Sequence, residues 1–458
     1  MGSTMRTAQQ LALVVVACVV ATTPALAQVA DEVNAGIQFN FTPPGARSLA
    51  MGGAFVGLAD DATAAYTNPA GLTTLAASEI GLEVRYTRFA SLFTEGGHNA
   101  GPATGIGIDT VDGIVFGETT SNVFSPSFLS YVFAGEGWSF SLYRHQVVDY
   151  ETDFQTQGAF FGDLDAGTLA RLFPVKASYD LEIANYGFSV AFNVVDSFSI
   201  GLGASYYDFS LEGSTSRYYV QPDGLNAGEF FGPPWFAADN LYNQQLQTGS
   251  DRSLAFNVGL LWRASEVFWV GAVYRDGPSF SFTYAGVCGP AEPQFCSGGY
   301  GGADTFSTSG EYNLPTTYGL GVAIKPTDAM TITLDWDRIE YSALTQNMSG
   351  LPGLASQLGN FRVDDGDEFH LGFEYILIAM DNPVALRAGT WLDPAHQIGY
   401  TGEWLSLQTM WAPATQADDE WHFSAGLGVS FAGKFQLDFA FDFSENVDTL
   451  SLSGVYRF

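Results

Sequence analysis

Basic residues, cysteines, histidines and long apolar runs are all scarce in this chain, and each scarcity excludes something. Only 17 Lys and Arg stand against 49 Asp and Glu in 458 residues, a formal charge of -32. A surface of that sign repels phosphate backbones, so nucleic acid is excluded as a partner. After the first 27 residues no segment offers ~20 unbroken apolar residues, which excludes a spanning helix from the mature chain. There is no glycine-rich Walker loop, no HExxH and no Gly-x-Ser-x-Gly elbow. No enzyme is expected, and no catalytic residue, metal ligand or cofactor is assigned.

The first residues read as a secretory signal, with Arg6 as the basic region, Leu11 to Ala21 as the apolar core and Ala25-Leu26-Ala27 as the cleavage site. Cutting before Gln28 leaves 431 residues. The alternative is a membrane anchor, but the core is short and is followed by Thr22, Thr23 and Pro24. Of the three cysteines, Cys18 lies in this signal. Cys288 and Cys296, in a Gly/Pro-rich segment, are expected to form a disulfide stapling one loop of an exported protein. Two thiols with no histidine beside them are too few for a metal site.

Against these absences stand an apolar content of 47%, 37 Phe, 21 Tyr and 52 Gly, carried largely in period-two runs. Phe435, Leu437, Phe439, Phe441 and Phe443 alternate with Gln436, Asp438, Ala440 and Asp442. Leu450, Leu452, Gly454, Tyr456 and Phe458 do the same after a tight turn. Period two is a strand with two unlike faces. A soluble sandwich buries the apolar face against a second sheet, whereas a membrane barrel turns it to lipid.

The rest of the chain decides for the barrel. Fourteen strand candidates lie near 79–90, 124–134, 137–152, 175–194, 197–215, 250–264, 267–285, 310–325, 328–344, 363–379, 382–396, 420–432, 434–445 and 448–458. Their connections alternate short and long, with a break only at Glu445-Asn446-Val447. This predicts an all-β, closed antiparallel transmembrane barrel with short turns on one side and long loops on the other. Charges in mid-bilayer cost roughly 2–4 kcal/mol, so Asp335, Glu374, Arg387, Asp438 and Asp442 are expected to face the lumen. Leu334, Leu371, Phe373 and Tyr375 are expected to face lipid, with Trp138, Trp269, Trp421 and Tyr456 as candidates for the aromatic girdles. His145, His370 and His422 with nearby serines are the nearest approach to a lipolytic site, and ordinary lumen or loop positions account for them more simply. The acidic run Asp364-Asp365-Gly366-Asp367-Glu368 lacks the full EF-hand pattern and reads as a solvated loop rather than a calcium site.

Wall side chains alone cannot fill a lumen of fourteen strands, so a plug is expected. Residues 28–78 do not alternate and are rich in small residues, which suits a plug, with a periplasmic extension as the rival. Gly52-Gly53 permits close backbone approach, Asp60 is placed to cap a short helix over 61–66, and Asn68-Pro69 marks a turn. The string GARSLAMGGAFVGLADDATAAYTNPAGLTTL resembles the N-terminal hatch signature of outer-membrane long-chain fatty-acid and aromatic-hydrocarbon transporters of the FadL/TodX type. The matching positions are Gly45, Gly52, Ala59, Asp60, Asp61, Ala62, Asn68, Pro69, Ala70, Gly71 and Leu72. Leu314-Pro315, Gly319-Leu320-Gly321-Val322, Lys325-Pro326 and Arg387-Ala388-Gly389 resemble the family's barrel strands more weakly, and Phe458 its terminal assembly signal.

The resemblance implies a signal peptide over 1–27, a hatch over 28–78 with Gly52 and Gly53 in its signature, and a barrel over 79–458 in the outer membrane of a Gram-negative-type bacterium. It also implies passive transport of hydrophobic compounds, through an apolar pocket and a lateral opening in the wall. Expected partners are hydrophobic small molecules, outer-membrane lipid and lipopolysaccharide, and the barrel-assembly machinery, with the chain acting as a monomer. The alternatives are a general porin and a structural or secretion-associated barrel. Luminal acids argue against free carboxylates as the sole cargo.

Overall fold

The computed structural model describes residues 37, 39–100, 113–156, 159–163, 168–220, 236–290, 305–346, 361–378, 382–400 and 418–458. The expected signal at 1–27 lies outside the described residues. Fourteen antiparallel strands close into a barrel. They are β1 (Glu79–Ala100), β2 (Gly113–Gly135), β3 (Trp138–Thr156), β4 (Thr168–Val195), β5 (Phe198–Val220), β6 (Leu241–Arg263), β7 (Phe268–Arg275 and Ser279–Cys288) and β8 (Thr305–Asn313 and Thr317–Thr327). The ring continues through β9 (Met330–Ile339), β10 (Gly366–Leu377), β11 (Val384–Asp393), β12 (Glu420–Phe431), β13 (Phe435–Phe443) and β14 (Val447–Arg457). Closure comes from β14 returning to β1, with Glu79 opposite Arg457 and Phe89 opposite Val447.

The two faces separate as period two requires. Along β13, Phe435, Leu437, Phe439 and Phe443 are exposed, whereas Asp438 and Asp442 are buried. On β9 Leu334 is exposed between buried Thr333 and Asp335, and on β10 Leu371 and Phe373 are exposed between buried His370 and Glu374, with Tyr375 exposed just beyond. Among the described residues no helix is long and apolar enough to cross a membrane.

Two features differ from the sequence expectation. The strands expected over 267–285 and 310–325 are each interrupted, at Asp276-Gly277-Pro278 and Leu314-Pro315-Thr316. Pro278 and Pro315 have no amide hydrogen to give to a ladder. The two breaks lie side by side, bridged by the Leu314 amide donating to the Pro278 carbonyl at 2.9 Å. Strands β1 to β6 are also longer than expected. The longest, β4, has 28 residues, against 9 in β13. A crossing takes about 9–11 residues, so the early strands rise beyond the bilayer, where no lipid enforces alternation and no sequence period betrays them.

The N-terminal segment contains α1 (Ala46–Ala50), α2 (Ala64–Thr67) and a 3-10 turn over Pro69–Thr74. It hydrogen-bonds to strands all round the ring: Gly45 to Glu83 of β1, Ala65 to Ser189 of β4, Asn68 to Leu260 of β6, Val56 to Asp335 of β9 and Gly52 to Ser424 of β12. A segment bonded on every side lies within the barrel, as a plug-like hatch. The helix is shorter than expected and Asp60 does not cap it. Asp61 makes the local turn instead, its Oδ1 accepting from the Thr63 amide at 2.9 Å and the Thr63 hydroxyl at 2.5 Å.

Candidate functional site

The hatch is seated by backbone contact against glycines of the wall. Asn68 is fully buried, and its Nδ2 donates to the carbonyls of Val56 at 2.9 Å and Leu260 at 3.1 Å. Its Oδ1 accepts from the Ala70 amide at 3.2 Å, opening the 3-10 turn at Pro69, where a missing amide hydrogen costs nothing. A Cβ at Gly259 would lie 2.1 Å from Asn68 Oδ1, and one at Gly201 would lie 2.2 Å from the Ala70 nitrogen. Neither position admits a side chain while the hatch is in place. Within the hatch, a Cβ at Gly71 would meet the Ala59 carbonyl at 2.1 Å. Gly52 and Gly53 take φ of 63° and 73°, which glycine adopts without strain.

Charges of alternating sign run from wall to hatch and back. Arg387 donates to Asp438 at 2.7 Å and to Glu374 at 2.6 Å. Glu374 takes two parallel bonds from Arg47, both 2.9 Å. Arg47 also donates to Asp60 at 2.6 Å, and Lys325 closes the chain on Asp60 at 3.1 Å while lying 3.6 Å over the Trp269 ring. Burial alone would raise the Asp60 pKa, but Arg47 and Lys325 outweigh it and hold the carboxyl below the usual range. Burial raises Asp61, and its contact with Arg47 offsets this only in part. Trp269 packs against Met51, Phe55 and Leu58. It therefore serves the hatch rather than a lipid-facing girdle, while Trp138 and Trp421 are exposed.

A second polar belt follows on β9 to β13. Trp391 is stacked on His422 at 3.9 Å and on His370 at 5.4 Å, and its indole donates to Asp442 at 3.2 Å. Asp442 also holds His422 Nδ1 at 2.6 Å. Asp335 receives the Val56 amide of the hatch at 2.5 Å. Among the described residues, none of His145, His370 and His422 bonds a serine hydroxyl, and no lipolytic constellation forms. The acidic run does not converge either. Asp365 and Asp367 pair with Arg338 at 3.4 and 3.0 Å, and Glu368 turns inward.

Beyond the hatch the interior is apolar and aromatic. Phe209, Phe280, Tyr150, Tyr179, Tyr284 and Tyr312 bury their rings in one cluster. Ile37 and Phe39 of the N-terminal segment insert among them, with Phe39 stacked on Phe41 at 5.8 Å.

The wall beside this cluster is incomplete. Strands β2 and β3 pair only from Gly135–Trp138 to Phe128–His145. Beyond that point β2 stays on β1 and β3 stays on β4. Ser127 and Val147 are bulged out of register on the two sides, and Pro126 follows with no amide hydrogen. The resulting cleft is lined by Arg85, Phe89, Ser125, Val148 and Tyr150, and Asn40 of the N-terminal segment reaches it.

Residues 25–448 match the family described as outer membrane protein transport protein (OMPP1/FadL/TodX). The chain belongs to this family. No curated protein matches it in sequence. Among solved structures it is similar to a Pseudomonas aeruginosa FadL homologue, at 16% identity and a TM-score of 0.61, covering 92% of this chain and 99% of that one. It is also similar to the Pseudomonas putida toluene transporter TodX (14%, TM-score 0.55) and the Ralstonia pickettii toluene transporter TbuX (15%, 0.53), each with the same coverage. At these identities the likeness is one of fold, and the family places the chain in the outer membrane.

Within this OMPP1/FadL/TodX barrel, Asp335, Glu374, Arg387, Asp438 and Asp442 are all buried. Four of the five are tied into the hatch or the alternating chain, and Asp442 serves His422 and Trp391. Because Glu374 and Asp438 are matched by Arg47 and Arg387, they no longer argue about cargo charge. Cys288 is disulfide-bonded, and Cys296 lies outside the described residues. Sequence reasoning missed Arg47 and Lys325 as hatch anchors, and the incomplete β2–β3 seam. The signals were present: a basic residue in a small-residue string, and Pro126 inside a strand candidate.

Proposed function

We propose that this protein carries hydrophobic compounds passively across the outer membrane, entering an aromatic chamber and leaving sideways through the β2–β3 cleft while the hatch bars the direct route. Residues 28–78 act as the hatch and 79–458 as the conduit. The observation that carries this reading is the coincidence of three features: a hatch seated on wall glycines, an apolar aromatic cluster beyond it, and a break in wall pairing beside that cluster. A polar lipopolysaccharide layer and an aqueous pore both repel an alkyl or aryl solute. Burial among aromatic rings replaces water at roughly 0.8 kcal/mol per methylene. The two toluene transporters among the structural relatives make monoaromatic hydrocarbons a sensible first cargo to test. Direction comes from consumption of cargo downstream. Nothing in the site calls for catalysis. Phe458 serves assembly of the barrel, and the chain works as a monomer.

The test is an uptake panel of fatty acids, alkanes and monoaromatics in cells with and without the chain, repeated with Ser125→Trp, which fills the cleft. Loss of uptake of one hydrophobic class on deletion, and a drop of at least tenfold in the cleft variant, is expected. Equal uptake with and without the chain overturns the proposal. An open, salt-conducting pore in planar bilayers points to a general porin instead.

A further inference from the structure

His370, Glu368 and Asp337 bring one imidazole nitrogen and two carboxylate oxygens together at the point where the wall grips the hatch. Asp337 on β9 stands directly opposite Glu368 on β10, and Asp335 directly opposite His370. Like charges facing each other across a ladder repel, and these residues are at most 6% exposed. Arg275 acts on Asp337 from outside the group, and a proton or a metal ion must join the groups that face each other inside it.

The orientation of each group says what. His370 Nδ1 lies 2.7 Å from the Gly52 carbonyl of the hatch. A carbonyl only accepts, so Nδ1 carries the hydrogen and donates it, which leaves Nε2 as the lone-pair nitrogen of the neutral ring. Nε2 faces Glu368 Oε2 at 3.2 Å and Asp337 Oδ2 at 3.9 Å, so either a second proton on the ring or a metal ion must sit between these atoms. The other Glu368 oxygen, Oε1, is held by the Tyr341 hydroxyl at 2.9 Å, so Oε2 is the one left to bind. Asp337 Oδ1 is buried with no hydrogen-bond partner. All three inward atoms lie within 4.8 Å of one another. Two ligands of one zinc ion, each about 2.0–2.1 Å from it, stand no more than about 4.2 Å apart. The two distances from Nε2 satisfy that limit, and the two carboxylate oxygens lie within 4.8 Å of each other, so a small inward turn of one carboxylate completes the set. An imidazole whose far nitrogen donates to a backbone carbonyl, beside a carboxylate whose far oxygen takes a hydroxyl, is the outer-shell arrangement of metal sites.

We propose that Asp337, Glu368 and His370 bind a first-row divalent transition metal, Zn2+ by preference, with a water as fourth ligand. Imidazole with carboxylates suits Zn2+ better than the all-oxygen shells of calcium or magnesium. A proton on Nε2 supplies one positive charge among the carboxylates of Asp335, Asp337 and Glu368, with Arg275 acting on Asp337 from outside the trio, whereas the metal supplies two. Metal on Nε2 also polarises the Nδ1 hydrogen bond to Gly52, so occupancy tightens the hatch at that point. The site stands whatever the cargo is.

The experiment uses the full-length chain purified in detergent, stripped with chelator and titrated near neutral pH with Zn2+ against a colorimetric competitor, and with Co2+ read by its visible absorption. One equivalent is expected, with Kd at or below about 1 µM and a tetrahedral Co2+ spectrum. His370→Gln and Asp337→Asn should each weaken binding by at least tenfold, while His145→Gln leaves it unchanged. Heat-modifiable gel mobility establishes that each variant is a folded barrel. Wild-type protein that binds no Zn2+ at a hundredfold higher concentration overturns the proposal and leaves an imidazolium proton as what joins the two carboxylates. Binding that survives both ligand variants overturns it equally.

Discussion

Replacing Asn68 and Pro69 by alanine should unseat the hatch while leaving the barrel folded. The Asn68 side chain makes three hydrogen bonds, two of them to carbonyls that lie 12 and 192 residues away in the chain. Each bond contributes a net ~0.5–1.5 kcal/mol, and an orphaned buried acceptor costs ~1–3 kcal/mol. Of these bonds only the one to Leu260 joins hatch to wall, so the double variant loses about 1–3 kcal/mol of seating, which multiplies the unseated population about 5- to 150-fold. None of these bonds belongs to the ring of strand pairings, so heat-modifiable mobility should be that of the wild type. In planar bilayers the wild type should conduct very little and the variant should show frequent openings, with matching entry of bulky detergents into cells. Unchanged conductance, detergent entry and uptake would refute the assignment of Asn68 as the hatch anchor.

Gly201→Val should give the same leak from the opposite side of the contact, because its side chain must occupy the space of the Ala70 nitrogen and Pro69 carbonyl carbon; a closed pore in that variant removes the steric argument. Arg47→Ala strands Glu374 and Asp60 with one cation each, and breaking such a buried network costs about 3–5 kcal/mol. Limited proteolysis should therefore cut within 45–75 in this variant and not in the wild type. The two hatch aspartates respond to pH with opposite sign. Asp60 is depressed, so its contribution is present above the unfolded carboxyl range near pH 3.9 and is lost as pH falls through its lower folded value. Asp61 is raised, so its cost is absent at low pH and appears as pH rises through its folded value. Asp61→Asn, which keeps the acceptor for Thr63, should make the hatch more protease-resistant than wild type at pH 7 and no different at pH 4. Equal resistance at both pH values would contradict this sign.

Strand number, order and facing were legible because lipid imposes them locally. Two large apolar residues separated by one aspartate have a single way to sit in a membrane, and Leu437, Asp438 and Phe439 take it, with the aspartate buried and its neighbours exposed. The tall parts of β1 to β6 were not legible, since stretches such as 91–100 and 113–123 rise past the bilayer and carry no such constraint. The hatch was legible as a string of small residues, but its anchors were not. Arg47 and Glu374 are 327 positions apart, and only closure of the ring brings them together. The metal-ligand trio escaped for the same reason. Glu368 and His370 sit on one face of β10 by period two, but Asp337 joins them through strand register.

The β2–β3 seam strains the rule that hydrocarbon tolerates no free backbone groups, and the side chains around it show how the rule is met. Pro126 presents a carbonyl and no amide hydrogen, and Arg144 reaches over from β3 to donate to that carbonyl. Arg144 also holds Gln146, whose amide donates to the Val148 carbonyl at 2.9 Å, just past the bulge at Val147. Further out, Thr119 of β2 donates to the Asp153 carbonyl of β3 at 3.1 Å, bridging the strands by a side chain where the ladder has stopped. A chance pairing defect would leave these groups bare, at several kcal/mol each in lipid. Here the carbonyls of Pro126, Val148 and Asp153 are served from the strands themselves, which is what the proposed exit for apolar cargo requires of strands that part inside a membrane.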